Sequence, residues 1–319
     1  MSTTRFGRLA AALLLGAVLA CAVTVLAACG SSTSGAAASS SPSAAAGPIT
    51  VTDDAGNEVT LDAPAERIVS LAPANTEIAF AVGAGGKMVA GTSYDDYPEE
   101  AKALPKAGDF ANPNVEKIAS FDPDLVLAAA GLQDKVLSKL RELGVQVYVV
   151  DPKTYDGTVA TILNVGKLAG TETGAQQVAD TMNAARQEVQ AAVAEQPKVT
   201  TFLEIYSKPL MTAGSDTFID DMIAIAGGEN IGAEAGSGFP TFSTEVLVKD
   251  DPQVYIADSG SMSEPGDITK RAGFSALTAV KDGKVFVIAD SIIARPGPRL
   301  ADGLKALLGY IHPEAAGAQ

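Results

Sequence analysis

The sequence predicts an α/β fold of two lobes, each with a mainly parallel sheet, joined by a single long helix. Strand-like and helix-like segments alternate from residue 67 onward, a pattern typical of parallel sheets covered by helices on both faces. One motif recurs 129 residues further along the chain, and an amphipathic stretch separates its two copies. We therefore predict an N-terminal lobe over residues 49–170, a connecting helix over 171–197 and a C-terminal lobe over 198–319.

The elements of the N-terminal lobe follow from turn residues and apolar runs. Two short strand-like segments flank an Asp-Ala-Gly-Asn turn at residues 54–57, which indicates a hairpin over residues 49–61. Buried strands are predicted where β-branched and apolar residues follow one another. Those strands span residues 67–71, 124–128 and 145–150, with helices over 75–82, ending at a glycine, and over 136–143.

The recurring motif places one aromatic residue and one glutamate in each lobe. In the windows that begin at Phe110 and Phe239, a glutamate follows the aromatic residue by six positions and a proline follows the glutamate by seven. An Asn or Ser able to cap a helix stands two residues before each glutamate. Glu116 and Glu245 are therefore predicted in first helical turns, where the helix dipole favours a carboxylate.

The connecting helix is predicted from the periodicity of its apolar residues. The stretch over residues 173–196 is rich in Ala, Gln and Glu, and Pro197 ends it. A helix of this length would be roughly 36 Å long and would act as a strut between the lobes. Its apolar positions step by four, three, four and three residues and so form one face: Val178, Met182, Ala185, Val189 and Ala192.

Composition excludes several classes of function. The formal net charge is −15, and an acidic protein repels the phosphate backbone of nucleic acids. The chain has one histidine and two cysteines, which excludes a His/Cys zinc site and most enzymes that use imidazole as acid or base. The single histidine, His312, is predicted to be a surface or packing residue rather than a metal ligand. We predict no catalytic residues, no metal site and no bound cofactor.

The first 28 residues have the features of a lipoprotein signal peptide. Arg5 and Arg8 precede an apolar stretch over residues 9–26, which ends in Leu-Ala-Ala before Cys29. Cleavage before Cys29 would leave its sulfur free to carry a diacylglyceryl group. A transmembrane anchor is the alternative interpretation, and Cys21 is an alternative cleavage site.

A tether follows the predicted lipidation site. Residues 30–48 contain only Gly, Ser, Thr, Ala and Pro, a composition that cannot bury enough apolar surface to order itself. We therefore expect residues 29–48 to link a folded body to the outer face of the cytoplasmic membrane. In a cell with an outer membrane, that face is the periplasmic side.

Four segments of the folded body resemble one protein family. These are residues 67–77, 92–98, 225–231 and 295–299, which include the sequences SLAPANTE, TSYDDYP, IAGGENI and RPGPR. They are similar to segments of the substrate-binding proteins of ABC importers for cobalamin, ferric siderophores and haem, and most similar to the cobalamin-binding members. The resemblance covers about residues 49–312. It implies two Rossmann-like lobes joined by one rigid helix, with the ligand bound in the cleft between them.

The resemblance also implies roles for individual residues. Phe110 and Phe239 match the aromatic residues that face a corrin ring from the two lobes. Tyr94 and Arg295 match a ligand-contacting tyrosine and arginine. The motif glutamates match those that dock onto arginines of the permease. A position that matches a ligand-contacting aspartate is occupied by Ser291.

Three departures from the cobalamin-binding pattern leave the ligand open. Phe stands at the two aromatic positions where the best-known member has Trp, Ala129 replaces a second cleft tryptophan, and Ser291 replaces the aspartate. The residues alone leave alternatives as well. Phe110 and Phe239 are also compatible with a core position. Tyr94 could hydrogen-bond an amide-rich ligand, coordinate iron through its phenolate, or only stabilise a turn.

These observations predict an extracytoplasmic, lipid-anchored, monomeric binding protein rather than an enzyme. We expect it to capture a metal-containing chelate and deliver it to an ABC permease dimer with ATPase subunits. A corrinoid is the first expected ligand, a ferric siderophore the second and haem the third. A hydrolase and an adhesion or sensor lipoprotein are the alternatives from other classes of protein.

Overall fold

Two five-stranded sheets and a two-stranded hairpin organise the part of the chain that the structure describes. The structure is a computed structural model that describes residues 47–131, 133–260 and 264–317. The predicted signal peptide, Cys21, Cys29 and most of the tether lie outside the described residues. The described residues form one compact unit.

The first large sheet is entirely parallel and has the strand order β5-β4-β3-β6-β7. The predicted hairpin, β1 with antiparallel β2, precedes it and packs beside β7 and the helix α4. Each strand predicted in this half is present within one or two residues. The strands are β1 Ile49–Thr52, β2 Glu58–Leu61, β3 Ile68–Ser70, β4 Met88–Thr92, β5 Lys106–Gly108, β6 Leu125–Ala129 and β7 Gln146–Val150.

The second large sheet has four parallel strands in the order β10-β8-β11-β12, and β9 pairs antiparallel with β8. Together the two sheets confirm the predicted α/β fold of two lobes. The strands are β8 Val199–Ser207, β9 Leu210–Thr212, β10 Gly228–Asn230, β11 Val254–Ser259 and β12 Val285–Ala289.

Helices cover both faces of each sheet. The longest is the predicted connecting helix, which spans Glu172–Val193 and ends close to the predicted proline stop. The α-helices are α1 Pro73–Ala81, α2 Val115–Ser120, α3 Asp134–Glu142, α4 Tyr155–Ala169, α5 Glu172–Val193, α6 Phe218–Ile225, α7 Thr244–Asp250, α8 Thr278–Lys281, α9 Asp290–Ile293, α10 Leu300–Ile311 and α11 Pro313–Ala316.

Helix α5 buries the apolar face that the periodicity predicted. Met182, Ala185 and Val189 are fully buried, and Val178 and Ala192 are partly buried against the same core. At its start, α5 approaches the end of α1 so closely that a Cβ atom on Gly174 would lie 2.3 Å from the carbonyl oxygen of Val82. Only glycine fits such a contact with backbone, so this residue sets how α5 meets the first sheet's helices.

The two sheets share one continuous apolar core. It includes one face of each sheet together with side chains of α1, α4, α5, α6 and α10. The opposite face of the first sheet packs on α2 and α3, and that of the second packs on α7 and α8. The lobes are therefore joined by a packed core as well as by the connecting helix, and close packing of this kind resists hinge motion. Among the described residues, no helix is both long enough and apolar enough to cross a membrane.

Candidate functional site

The predicted ligand residues lie in loops at the carboxyl ends of parallel strands. These carboxyl-end loops follow β4 (residues 93–98), β5 (109–114), β10 (231–243), β11 (described at 260 and 264–267) and β12 (290–299). Open α/β sheets bind ligands at this edge. Tyr94 and Phe239 are 48% and 45% exposed, a high fraction for aromatic side chains, and Phe110 is partly exposed. The three aromatic residues therefore lie at the surface of this edge rather than in the core.

A buried glutamine holds the loop that carries Phe110. The side-chain nitrogen of Gln133 donates hydrogen bonds to the carbonyl oxygens of Leu71 (2.7 Å) and Phe110 (2.8 Å). Its side-chain oxygen accepts one from the backbone nitrogen of Ala129 at 3.0 Å. Gln133 thus ties the ends of β3 and β6 to the aromatic residue, a function that the sequence analysis missed.

A buried aspartate fixes the loop that carries Tyr94. The carboxylate of Asp95 accepts hydrogen bonds from the backbone nitrogen of Thr92 at 2.9 Å and from its hydroxyl at 2.6 Å. It also accepts one from the hydroxyl of Thr76 on α1, at 2.9 Å. Because Asp95 points inward and is satisfied there, the residues on either side of it, Tyr94 and Asp96, point outward.

Arg295 joins the two lobes through ion pairs instead of standing free. Its guanidinium donates to Glu77 on α1 at 3.0 Å and to both oxygens of Asp96 at 2.5 and 3.2 Å. A third carboxylate, that of Asp290, lies 3.7 Å away. Glu77 is only 3% exposed, and Asp96 is 57% exposed. The predicted ligand arginine is therefore already surrounded by carboxylates from both lobes.

A second arginine completes this network. Arg299 donates to both oxygens of Glu77, at 2.8 and 2.6 Å, and its guanidinium lies 4.3 Å from the ring centroid of Tyr97. Burial alone would lower the pKa of Arg295. The hydrogen bonds to Asp96 and Glu77 outweigh the effect of burial, so the pKa lies above its usual value and the arginine stays charged. The hydrogen bond from Arg295 likewise holds the pKa of Asp96 below its usual value.

Asp258, at the carboxyl end of β11, is a buried carboxyl group without a full set of partners. Its Oδ1 atom has no hydrogen-bond partner among the described residues. Burial raises the pKa of Asp258 to about 7, and the charge of Asp290 is the second cause of this increase. The carboxyl of Asp290 lies against the backbone of Gly260, where a Cβ atom would collide with it. Ser291, the predicted ligand residue at this point, is the second residue of α9 and is partly buried.

The two predicted docking glutamates occupy equivalent helix starts. Glu116 is in the first turn of α2, which Asn114 caps by accepting a hydrogen bond from the backbone nitrogen of Lys117 at 2.9 Å. Glu245 is in the first turn of α7, which Ser243 caps by accepting from the backbone nitrogen of Glu245 at 3.2 Å. Both glutamates are exposed.

A shallow cavity of about 400 Å³ lies beside Glu116, at the start of α2. Its lining includes Lys135 and Lys139 of α3. This cavity belongs to the outer face of the first lobe. Among the described residues, no cluster of three or more His, Cys, Asp or Glu side chains is arranged to hold a metal ion.

The sequence analysis missed the acidic partners of Arg295 and its neighbour Arg299. One signal was available, since Glu77 and Arg299 belong to two of the segments that carry the family resemblance and have opposite charges. These residues are separated by 222 positions, so no local pattern links them. His312 is buried, as expected of a packing residue, and lies near the backbone oxygen of Gly227 and the carboxylate of Glu314.

Comparison with known proteins gives consistent matches over most of the chain. Residues 68–291 match the family described as periplasmic binding protein. An uncharacterized ABC transporter substrate-binding lipoprotein of Bacillus subtilis, YvrC, is 31% identical over 312 residues, which is 95% of this chain and 96% of the relative. A vitamin B12-binding protein of Vibrio cholerae is 31% identical over 249 residues, covering 78% of this chain and 90% of the relative.

Solved structures give the same result. The crystal structure of a periplasmic vitamin B12-binding protein of Vibrio cholerae matches with a TM-score of 0.71 and 31% identity, covering 80% of this chain and 99% of that chain. A periplasmic haem-binding protein of Roseiflexus, RhuT, matches with a TM-score of 0.69 and 28% identity, covering 79% and 99%. The chain therefore belongs to the periplasmic binding protein family and is the substrate-binding protein of an ABC importer, a non-enzymatic protein that binds a transported ligand outside the cytoplasm and works with a permease and an ATPase.

Proposed function

We propose that this protein captures a corrinoid in the cleft between its two lobes and delivers it to the permease. The observation that carries the proposal is the placement of Phe110, Phe239 and Tyr94, which are partly exposed aromatic residues on carboxyl-end loops of both lobes. Aromatic rings suit a large planar ligand, which they cover by stacking and by apolar burial. The similarity to a vitamin B12-binding protein of Vibrio cholerae over 90% of its length supports the same ligand class.

Delivery depends on docking to the permease. Glu116 and Glu245 are exposed at the starts of two capped helices, one in each lobe. Two such acids suit two basic patches on a symmetric permease dimer, and the attraction should weaken as salt increases. A monomer tethered through lipidated Cys29 would stay within reach of the permease, which is why the lipid anchor is part of the proposal.

A second candidate ligand is an iron chelate. Tyr94 carries a phenolic hydroxyl on an exposed loop, and a phenolate oxygen can coordinate ferric iron or haem iron. The 28% identity to a haem-binding protein of Roseiflexus favours testing this candidate beside the corrinoid.

Thermal unfolding in separate wells tests the proposal. The chain from residue 47 onward is scanned with cyanocobalamin, with ferric hydroxamate and catecholate siderophores, and with haemin. A ligand at a hundredfold excess over its dissociation constant stabilises the folded state by about 2.7 kcal/mol, which corresponds to a shift of a few degrees. We expect the shift with cyanocobalamin. A shift only with a siderophore or haemin would replace the corrinoid with that ligand.

Substitutions then connect binding to the site. Phe110→Ala and Phe239→Ala should each weaken binding of the ligand that produced the shift, because each removes one of the two faces that cover it. Phe286→Ala, on β12 and stacked on Tyr310, is the control for loss of an aromatic residue away from the carboxyl-end loops. Equal loss of binding in all three variants would contradict the assignment of the two phenylalanines.

A further inference from the structure

The polar part of the proposed binding site contains more carboxyl groups than guanidinium groups. Arg295 and Arg299 contribute two positive charges at the contact between the lobes. Glu77, Asp96 and Asp290 lie within 4 Å of these guanidiniums, and a fourth carboxyl, Asp258, is next to Asp290. A ligand that reaches Arg295 therefore meets an acidic surface rather than a basic one.

Three of the five N–H groups of Arg295 donate to the protein's own carboxylates. One terminal nitrogen donates to Glu77 and Asp96, and the other lies near Asp96 and Asp290. Glu77 is buried and is also held by Arg299, so it is a fixed partner. An anionic oxygen of a ligand that approached this guanidinium would lie among the carboxylates of Glu77, Asp96 and Asp290. Like charges placed together in this way oppose binding.

Arg271 does not change this balance. It forms an ion pair with the buried carboxylate of Glu204, which also accepts a hydrogen bond from Tyr255. Its guanidinium also donates to the carbonyl oxygen of Pro265 and lies over the ring of Phe274. Arg271 is therefore held in place beside Glu204 and is not available to bind an anionic ligand.

Asp258 supplies a vacant hydrogen-bond acceptor at the same place. The residue is 4% exposed, and its Oδ1 has no partner among the described residues. A buried polar atom without a partner is costly, and functional sites are where such atoms occur. No cluster suited to a metal ion exists among the described residues, so a ligand N–H or O–H group is the chemistry that fits the vacant oxygen.

From the carboxylates that surround Arg295 and the buried Oδ1 atom of Asp258, which has no partner among the described residues, we infer that the site selects chelates whose polar arms are neutral amides or hydroxyls and discriminates against chelates with carboxylate or catecholate arms. Amide N–H groups can donate to Asp96, Asp290 and Asp258 without displacing any ion pair. This inference deepens the proposed function, because it rests on a chelate binding at these loops and states which chemical class of chelate that is.

A matched pair of corrinoids tests the inference. Dicyanocobyrinic acid heptaamide and dicyanocobyrinic acid have the same ring and metal and differ in whether their arms end in amides or carboxylates. We expect the carboxylate form to bind about 100-fold more weakly in titration calorimetry, because like charges oppose each other at the site. Equal or tighter binding of the carboxylate form would overturn the inference.

Variants connect this selectivity to the named residues. Asp96→Asn alone and the double variant Asp96→Asn/Asp290→Asn should reduce the amide-to-acid ratio by about 10-fold or more, because each removes a like charge. Glu100→Gln is the matched control: Glu100 is an exposed acid near the same loop that makes no ion pair with the described residues. A ratio that stays the same in the double variant would contradict the proposed origin of the selectivity.

Two further experiments distinguish failure of this inference from failure of the corrinoid proposal. If neither corrinoid binds, ferrioxamine B, a hydroxamate chelate without anionic arms, is compared with polyanionic ferric enterobactin. Preference for ferrioxamine B would replace the corrinoid but support the inference, and preference for ferric enterobactin would overturn both.

In the absence of any chelate, sulfate is compared with chloride at equal ionic strength in thermal unfolding. Sulfate stabilises folded proteins in general, so the gain should be larger in the Asp96→Asn variants than in the unaltered protein, and equal gains would overturn the inference.

Discussion

The ends of β6 and β11 occupy equivalent places in the two lobes and carry opposite chemistry. Ala129 ends β6, and Asp258 lies 129 residues later near the end of β11, the same offset that relates the aromatic residues and the docking glutamates. The first position is apolar, and the second is a buried carboxyl group with an unpartnered oxygen. The repeat thus sets where side chains are placed, and the individual residues decide what each lobe can bind.

The same contrast extends along the second sheet. Glu204, Tyr255 and Arg271 form a buried polar cluster on its outer face, beside the aromatic rings of Phe202 and Phe274. The corresponding face of the first sheet packs through side chains that are almost all aliphatic. A buried ion pair contributes little net stability, but removal of one partner is costly. The stability of the second lobe therefore depends more on the pairing of Glu204 with Arg271.

The largest expected effect is the loss of the partner of Glu204. Arg271→Met should destabilise the protein by about 3–5 kcal/mol, because it leaves an uncompensated carboxylate in the core. Urea unfolding measures the change. Lys270→Ala removes a neighbouring exposed cation whose one ion-pair partner among the described residues is Asp267, and should change stability by less than about 1 kcal/mol. A similar loss of stability in the two variants would show that Glu204 does not need Arg271 as its ion-pair partner.

The next largest effect is a change of protein stability with pH, which is expected from Asp258 and not from its counterpart Ala129. Burial raises the pKa of Asp258 to about 7, so the folded protein holds this proton more tightly than the unfolded chain does. The resulting stability is fully present below the ordinary carboxyl pKa and is lost as the pH rises through about 7. Asp258→Asn should therefore stabilise the protein relative to the unaltered chain at pH 8.5, by a few kcal/mol, and much less at pH 5.

Thermal unfolding across this pH range measures the difference. Asp302→Asn, an exposed acid on α10, is the control and should show no such pH-dependent gain. The equivalent test in the first lobe is Ala129→Asp, which should lower stability more at pH 8.5 than at pH 5. A gain for Asp258→Asn that does not vary with pH would show that charge at this position is not the cause.

A smaller effect is expected at the glutamine that orders the first lobe. Gln133→Ala removes three hydrogen bonds to backbone groups and leaves those groups unpaired, which should cost about 1–3 kcal/mol. It should also weaken ligand binding, since the loop with Phe110 loses its support. Gln176→Ala, on the exposed face of α5, is the control. Unchanged binding in the destabilised Gln133→Ala variant would show that the glutamine has only a structural role.

The smallest effect on stability is expected at the two docking glutamates. Glu116→Ala and Glu245→Ala should each change the free energy of unfolding by less than about 0.5 kcal/mol, because both side chains are exposed. Ligand affinity should stay the same, and binding to the permease in nanodiscs should weaken and lose part of its salt dependence. Glu142→Ala, an exposed acid at the end of α3, is the control. Weaker permease binding in only one of the two variants would show that the two lobes contribute unequally to docking.

Local sequence rules were sufficient for most of the architecture. The hairpin, the buried strands, the two helices capped by Asn114 and Ser243, and the apolar face of the connecting helix all depend on residues within a few positions of one another. The prediction that Phe110 and Phe239 face the cleft rests on the repeat and the family resemblance. Each of these features is decided by turn chemistry, capping or periodicity, and such preferences act along the chain.

The electrostatics of the candidate site were decided only by the tertiary structure. The pair between Arg295 and Glu77 joins residues 218 positions apart, and Asp258 and Asp290 become neighbours because β11 and β12 pair in parallel. The family resemblance predicted Arg295 as a ligand residue, but the sequence contained no sign that three carboxylates surround the guanidinium. Charge interactions depend on distance and burial, and both are set when separate elements pack together, so no local pattern can specify them.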